Sequence, residues 1–303
     1  MTQEKEENGS EVIAMSVLGA LVLSSVLFQS TGFARPEALV DTAWLAAHLG
    51  DPEIRIVDMR RSGAADYDAG HIPGAVNLLN DAIRDPNNPP TFLPSRETFE
   101  ALMTRLGVSN TTRVIVYDDR GGLYAARLWW ILNYFGHSNV ALLDGHWIKW
   151  SSERRPTSTA VPSAPATRFT ANPQSRWLAT ADDVRAAIDK RGVRIVDART
   201  KAEIEGKDLR GIRRGGAIPS SVPVYWEDTL DPSSRALKPA LQLSKLFRDA
   251  GVLPSDEVIV YCQVGMRASH DLFVLHLLGY DKLRNYYGAW EEWGNRDDLP
   301  IKK

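Results

Sequence analysis

The chain repeats itself once, and this constrains the fold more than any other feature. Arg55-Ile-Val-Asp58-Met-Arg60 returns as Arg194-Ile-Val-Asp197-Ala-Arg199, and Gly70-His-Ile-Pro73 returns as Gly216-Ala-Ile-Pro219. Val114-Ile-Val-Tyr117 returns as Val258-Ile-Val-Tyr261, and Asp144-Gly145-His-Trp147 returns as Tyr287-Gly288-Ala-Trp290. The four matches keep their order and nearly their spacing. A repeat of about 140 residues is the size of a domain and too long for a solenoid unit. The 303 residues therefore read as a duplicated domain, with an N-terminal copy over 35–152, a linker over 153–175 and a C-terminal copy over 176–303. The linker, rich in Pro, Ser and Ala around Arg155–Pro165, has no apolar period and is expected to lie extended over the surface.

Each copy alternates short apolar strands with amphipathic segments. Helices are expected at Thr42–Leu49, Ser95–Leu106 and Tyr124–Phe135, and again at Thr180–Lys190, Ala240–Ala250 and Ala268–Leu278. Gly107 and Gly251 stand where helix C-caps belong. Strands are expected to end at Asp58 and Asp197 and to run over Val114–Tyr117 and Val258–Tyr261. Continuous apolar strands between helices predict an α/β fold, a mostly parallel sheet covered on both faces, twice over.

Composition removes several function classes. With 36 basic and 38 acidic residues the net charge is −2, so nothing draws the chain as a whole onto nucleic acid. A single cysteine, Cys262, excludes an internal disulfide, a C-x-x-C redox pair and a cysteine-rich metal site. At the other end of the chain, Val12–Phe28 is free of charge and just reaches the length of a membrane span. Gly32 and Ala34 suit cleavage after Ala34. The acidic lead of Glu4, Glu6, Glu7 and Glu11 departs from the basic start of an export signal. Residues 1–34 thus read as an export signal, a retained membrane anchor or a core helix. The first two predict a periplasmic or otherwise extracytoplasmic location.

Cys262 follows directly on the apolar strand Val258–Tyr261, and a helix begins near Ala268. The loop between them lies at the carboxyl edge of a parallel sheet, where α/β folds bind ligands. Backbone N–H groups of Gln263, Val264, Gly265, Met266 and Arg267 can turn inward there and hold an anion, helped by the helix N-terminus and the Arg267 charge. Gly265 permits a positive φ and a close backbone approach. The competing reading is that Cys262 is a small buried apolar residue. In the N-terminal copy Asp118 stands in its place. A carboxylate cannot replace a thiolate nucleophile, so that half should be silent and form the wall of a cleft. Trp129, Trp130 and Trp147 are expected to pack the core or the boundary between halves.

These motifs together resemble the tandem-domain rhodaneses, or thiosulfate sulfurtransferases, over about residues 36–302: Val57-Asp58-Met-Arg60, Gly70-His-Ile-Pro-Gly-Ala75, Val196-Asp197-Ala-Arg199, Cys262-Gln-Val-Gly-Met-Arg267-Ala-Ser, and Tyr287-Gly-Ala-Trp-Glu-Glu-Trp293. The resemblance implies transfer of sulfur from thiosulfate to cyanide or another thiophilic acceptor through a Cys262 persulfide, with no cofactor and no metal. It also implies a substrate-binding role for Arg199; the alternative for that residue is a structural ion pair. Arg267 would be the main side-chain anion binder. Cysteine phosphatases carry C-x5-R where this chain has C-x4-R, and the shorter loop suits a single sulfur atom. Mercaptopyruvate sulfurtransferases typically carry Cys-Gly-Ser/Thr-Gly-Val-Thr. Val264 offers no hydroxyl and Arg267 replaces the last Thr, which favours thiosulfate as donor over mercaptopyruvate. A non-catalytic sulfur-carrier or binding module is the third reading. Arg210, Arg213 and Arg214 either line the entrance or face water, and His71 is expected to bond backbone groups.

Overall fold

The computed structural model describes residue 2 and residues 32–62, 64–89 and 92–303. The Val12–Phe28 segment lies outside them; no helix among the described residues is long and apolar enough to cross a membrane.

Among the described residues each half builds one five-stranded sheet. The first contains β1 (Leu39–Val40), β2 (Ile54–Asp58), β3 (Val76–Asn77), β4 (Arg113–Tyr117) and β5 (Val140–Leu143). The second contains β6 (Leu178–Ala179), β7 (Val193–Asp197), β8 (Val222–Pro223), β9 (Glu257–Tyr261) and β10 (Leu283–Tyr286). The orders are β1-β5-β4-β2-β3 and β6-β10-β9-β7-β8, with every pairing parallel. The central strands β4 and β9 are the repeated Val-Ile-Val-Tyr runs, buried along all four residues because helices cover both faces. Parallel pairing brings the ends of β7, β9 and β10 to one edge, so the segments after Asp197, Tyr261 and Tyr286 are neighbours there.

The helices are α1 (Thr42–Ala47), α2 (Ala64–Ala69), α3 (Arg96–Arg105), α4 (Leu123–Tyr134) and α5 (His146–Ser152), then α6 (Ala181–Ala187), α7 (Lys201–Ile204), α8 (Ala240–Asp249), α9 (Met266–Leu277) and α10 (Ala289–Trp293). Ser95 caps α3 by accepting from Thr98 N at 3.2 Å. Gly107 and Gly251 follow α3 and α8 at φ +75° and +78°, as their C-cap placement requires. One boundary differs where it matters. The helix expected from Ala268 begins at Met266, because Gly265 at φ +79° turns the chain and serves as the N-cap. Met266 and Arg267 therefore belong to the first helical turn, not to the loop.

The two halves share one core. A continuous apolar cluster runs from Val57, Val116 and Trp130 in the first sheet layer to Val196, Val260 and Phe273 in the second. Its centre is the packing of α4 on α9, the two helices that leave the equivalent loops of the two halves. Trp129 meets Phe273 edge-on at 5.2 Å across this boundary. Between the halves the chain runs without helix or strand and is fastened to the first half: Ala171 N donates to Glu100 at 2.9 Å, and Phe169 is buried beside Phe99.

Candidate active site

Both halves carry the same clamp at the end of the strand next to the central one. In the second half Arg199 grips Asp197 through Nε at 2.9 Å and Nη2 at 2.7 Å, and donates to the Gly216 carbonyl at 2.8 Å. Its guanidinium lies 4.2 Å over the Trp290 ring. In the first half Arg60 grips Asp58 through Nε at 3.0 Å and Nη2 at 2.8 Å, donates to Gly70 O at 2.7 Å, and lies 4.0 Å over Trp147. Tyr117 and Tyr261 complete the two clamps by donating to Asp58 and Asp197. The arrangement is equally complete in the half without a cysteine. Arg199 is thus engaged in a structural ion pair, the alternative the sequence left open for it.

The loops after β4 and β9 differ in a telling way. In the first half the Asp118 carboxylate is enclosed by four backbone amides. Arg120 N and Gly122 N donate to Oδ1 at 2.8 and 2.9 Å; Tyr124 N and Ala125 N donate to Oδ2 at 2.8 and 3.0 Å. These amides include the first N–H groups of α4, which have no partner within the helix. In the second half the strand–loop–helix layout recurs one residue shorter, with Cys262 in the place of Asp118. That loop has no carboxylate of its own. It is held in shape from below: Gly265 O accepts from Ser269 N at 3.1 Å, Ser269 Oγ at 3.0 Å and Asn285 Nδ2 at 3.2 Å. It is tied from the side by Trp290 N to Cys262 O at 2.9 Å and Glu291 N to Gln263 O at 3.0 Å. The Tyr287 ring lies against Gly265 so closely that a Cβ there would come within 2.2 Å of it.

Arg267 is not an unopposed cation. Its Nη1 and Nη2 donate to the two carboxylate oxygens of Glu203 at 2.7 and 2.8 Å. Glu203 itself is fixed by a capping box with Thr200 at the start of α7. Burial raises the Glu203 pKa, but the Arg267 hydrogen bonds and charge, with those from Thr200, pull it down to about 2. Burial likewise works against the Arg267 charge; the hydrogen bonds to Glu203 and the charges of Cys262 and Glu203 outweigh it and hold its pKa above the ordinary value. From the first half Arg84 reaches α10, its Nη2 3.6 Å from Glu291.

A family model for the rhodanese-like domain matches residues 41–153 and 180–296. The chain belongs to the rhodanese family. It is 37% identical over 283 residues to a thiosulfate sulfurtransferase of Corynebacterium glutamicum, covering 89% of this chain and 92% of that one. It is 38% identical over 287 residues to the sulfur carrier protein TtuD of Thermus thermophilus, covering 90% of this chain and 99% of that one. Among solved structures, SseA of Escherichia coli, described as a 3-mercaptopyruvate sulfotransferase, aligns with a TM-score of 0.75 at 32% identity, over 84% of this chain and 98% of that one. The rhodanese layout accounts for the duplication and the two parallel sheets, and sulfur transfer is the activity its relatives carry.

Within this rhodanese the predicted loop residues come together: Cys262 at the end of β9, Gln263 and Val264 on the rim, Gly265 at the turn, and Met266 and Arg267 on the first turn of α9. Arg199 lies in its clamp over the Trp290 ring, whose backbone N–H donates to the Cys262 carbonyl. Arg214 is half-buried and donates to the Trp293 and Leu299 carbonyls at 2.9 and 3.2 Å, locking the chain after α10. His71 bonds Tyr67 O and Ala160 O at 2.8 and 3.1 Å. Glu203 escaped the sequence reading; Thr200-Lys-Ala-Glu203 is a capping-box pattern and was its available signal. No group of three or more His, Cys, Asp or Glu among the described residues is placed to hold a metal.

Cys262 is only 1% exposed. Reagent size should therefore govern its reactivity. Iodoacetamide is expected to label the native chain, and a bulky maleimide to label it at least about tenfold more slowly than it labels the chain unfolded in guanidinium. Equal maleimide rates in both states would show an open site.

Proposed function

We propose that the chain is a sulfurtransferase that draws sulfur from thiosulfate through a persulfide on Cys262. The carrying observation is the pair of loops: backbone amides enclose the Asp118 carboxylate in one half, and the equivalent strand–loop–helix of the other half carries the Cys262 thiol. The second loop is read in the same way, as an amide cradle for the persulfide anion. The Cys262 thiolate attacks the outer sulfur of thiosulfate. A sulfur–sulfur bond forms to Sγ, the sulfur–sulfur bond of thiosulfate breaks, and sulfite leaves with the electron pair. The amides from Gln263 to Ala268 stabilise the resulting negative charge. Cyanide or another thiophilic acceptor then takes the outer sulfur and restores the thiolate. The name of the Corynebacterium relative supports this donor, as does the missing hydroxyl at Val264. The SseA structure supports mercaptopyruvate as the second reading.

The test is the mass of the intact chain after thiosulfate treatment. A gain of about 32 Da, reversed by cyanide, is the expected result. An unchanged mass would refute the intermediate. Comparing kcat/KM for the two donors decides between them, and a large preference for mercaptopyruvate would overturn the choice of thiosulfate.

A further inference from the structure

Arg127 lies on α4, in the half without the cysteine, and is 1% exposed. Its guanidinium donates to two neutral acceptors, Asn80 Oδ1 at 2.7 Å and the Ile83 carbonyl at 3.5 Å. Its Nε has no hydrogen-bond partner, and it forms no ion pair among the described residues. Arg60, Arg199 and Arg267 each face a carboxylate. Arg127 does not. A buried cation without a counter-charge is costly, and folds keep one where an anion arrives.

Tyr287 faces it from the other half. It follows β10, is 2% exposed, and its hydroxyl has no hydrogen-bond partner. The ring lies on Gly265 of the cysteine loop, stacks on Trp130 at 4.7 Å, and has its centre 5.6 Å from the Arg127 guanidinium carbon. Trp130 is three residues beyond Arg127, on the same face of α4. Burial raises the Tyr287 pKa, the Arg127 and Arg84 charges lower it, and the Cys262 charge raises it. The repeat places Asp144 at the equivalent position of the first half, 3.7 Å from Lys149. The second half has replaced that acid by a neutral hydroxyl.

We infer that Arg127 and Tyr287 form a receptor for the oxyanion end of the sulfur donor, the sulfonate of thiosulfate or the carboxylate of mercaptopyruvate. The donor's identity rests on the function proposed above; the receptor rests on two unsatisfied polar atoms, one from each half, beside the cysteine loop. Glu203 neutralises Arg267, so the counter-charge for the donor comes from the half that lacks the nucleophile. That half is silent in bond making and contributes to binding.

The test uses the full chain with Tyr287→Phe, Arg127→Gln and Arg127→Lys. Sulfite binding is read by tryptophan fluorescence in a Cys262→Ser background, and KM and kcat for both donors with Cys262 present. Tyr287→Phe removes only the unpartnered hydroxyl, so its Tm is expected to stay or rise. Its sulfite Kd and its donor KM are expected to rise about tenfold or more, with kcat nearly unchanged. Arg127→Lys is expected to recover part of what Arg127→Gln loses. The donor whose KM moves identifies the oxyanion. Failure of the parent chain to bind sulfite overturns the receptor, as does Tyr287→Phe with sulfite Kd and both KM values unchanged, whatever its Tm. If neither donor yields a persulfide, the proposed function falls while the sulfite titration still decides the receptor.

Discussion

Cys262→Ser is expected to lower sulfur transfer by at least about a thousandfold while leaving the fold intact. The side chain is buried at the end of β9. The loop is held by Gly265 O, Cys262 O and Gln263 O, which are backbone atoms. An oxygen in place of sulfur therefore changes the nucleophile and little else. A serine hydroxyl is un-ionised near neutrality and forms no persulfide, and the chain has no second cysteine to substitute for it. Steady-state thiocyanate release from thiosulfate and cyanide measures the loss; circular dichroism and Tm check the fold. A variant that kept full turnover would eliminate the covalent mechanism, whatever the geometry around Cys262.

How much of this was legible in the sequence depended on whether one segment held the information. The Val-Ile-Val-Tyr strands were legible because burial on both faces demands an unbroken apolar run. The cysteine loop was legible because strand, Cys, Gly and helix follow one another within a few residues. The start of α9 was misplaced by two residues, since nothing in Gly265-Met-Arg267 announces that the glycine caps a helix without a side-chain bond. The Arg267 partner was not legible from its own neighbourhood. Glu203 lies 64 residues earlier and meets Arg267 only through the pairing of β7 with β9. The clamp of Arg199 was hidden for the same reason: its place in the sequence says nothing of the Gly216 carbonyl and Trp290 ring that hold it. The strands β6 and β10 were too short or too polar to register as apolar runs.

The Glu203–Arg267 pair supplies the other large effect. Glu203→Gln keeps the shape of the side chain and its contacts with Thr200, but leaves the Arg267 charge half-buried and unmatched. Breaking a pair of this kind costs about 3 kcal/mol or more. The pH dependence gives an independent measure. The Glu203 pKa falls from 4.5 to about 2 on folding, so the unfolded chain takes up its proton first as pH drops. The stabilisation is fully present above the unfolded value and is lost as pH falls towards the folded one. A shift of this size corresponds to about 3 kcal/mol, in line with the cost of removing the charge. Urea unfolding of parent and variant between pH 7 and pH 2 should therefore give a stability gap that is constant down to the mid-acid range and narrows below it as the parent loses its advantage. A gap that stays flat to pH 2, or is absent at pH 7, would mean that Glu203 does not hold Arg267 as a charged pair, and Arg267 would return as a cation free to meet the sulfur donor.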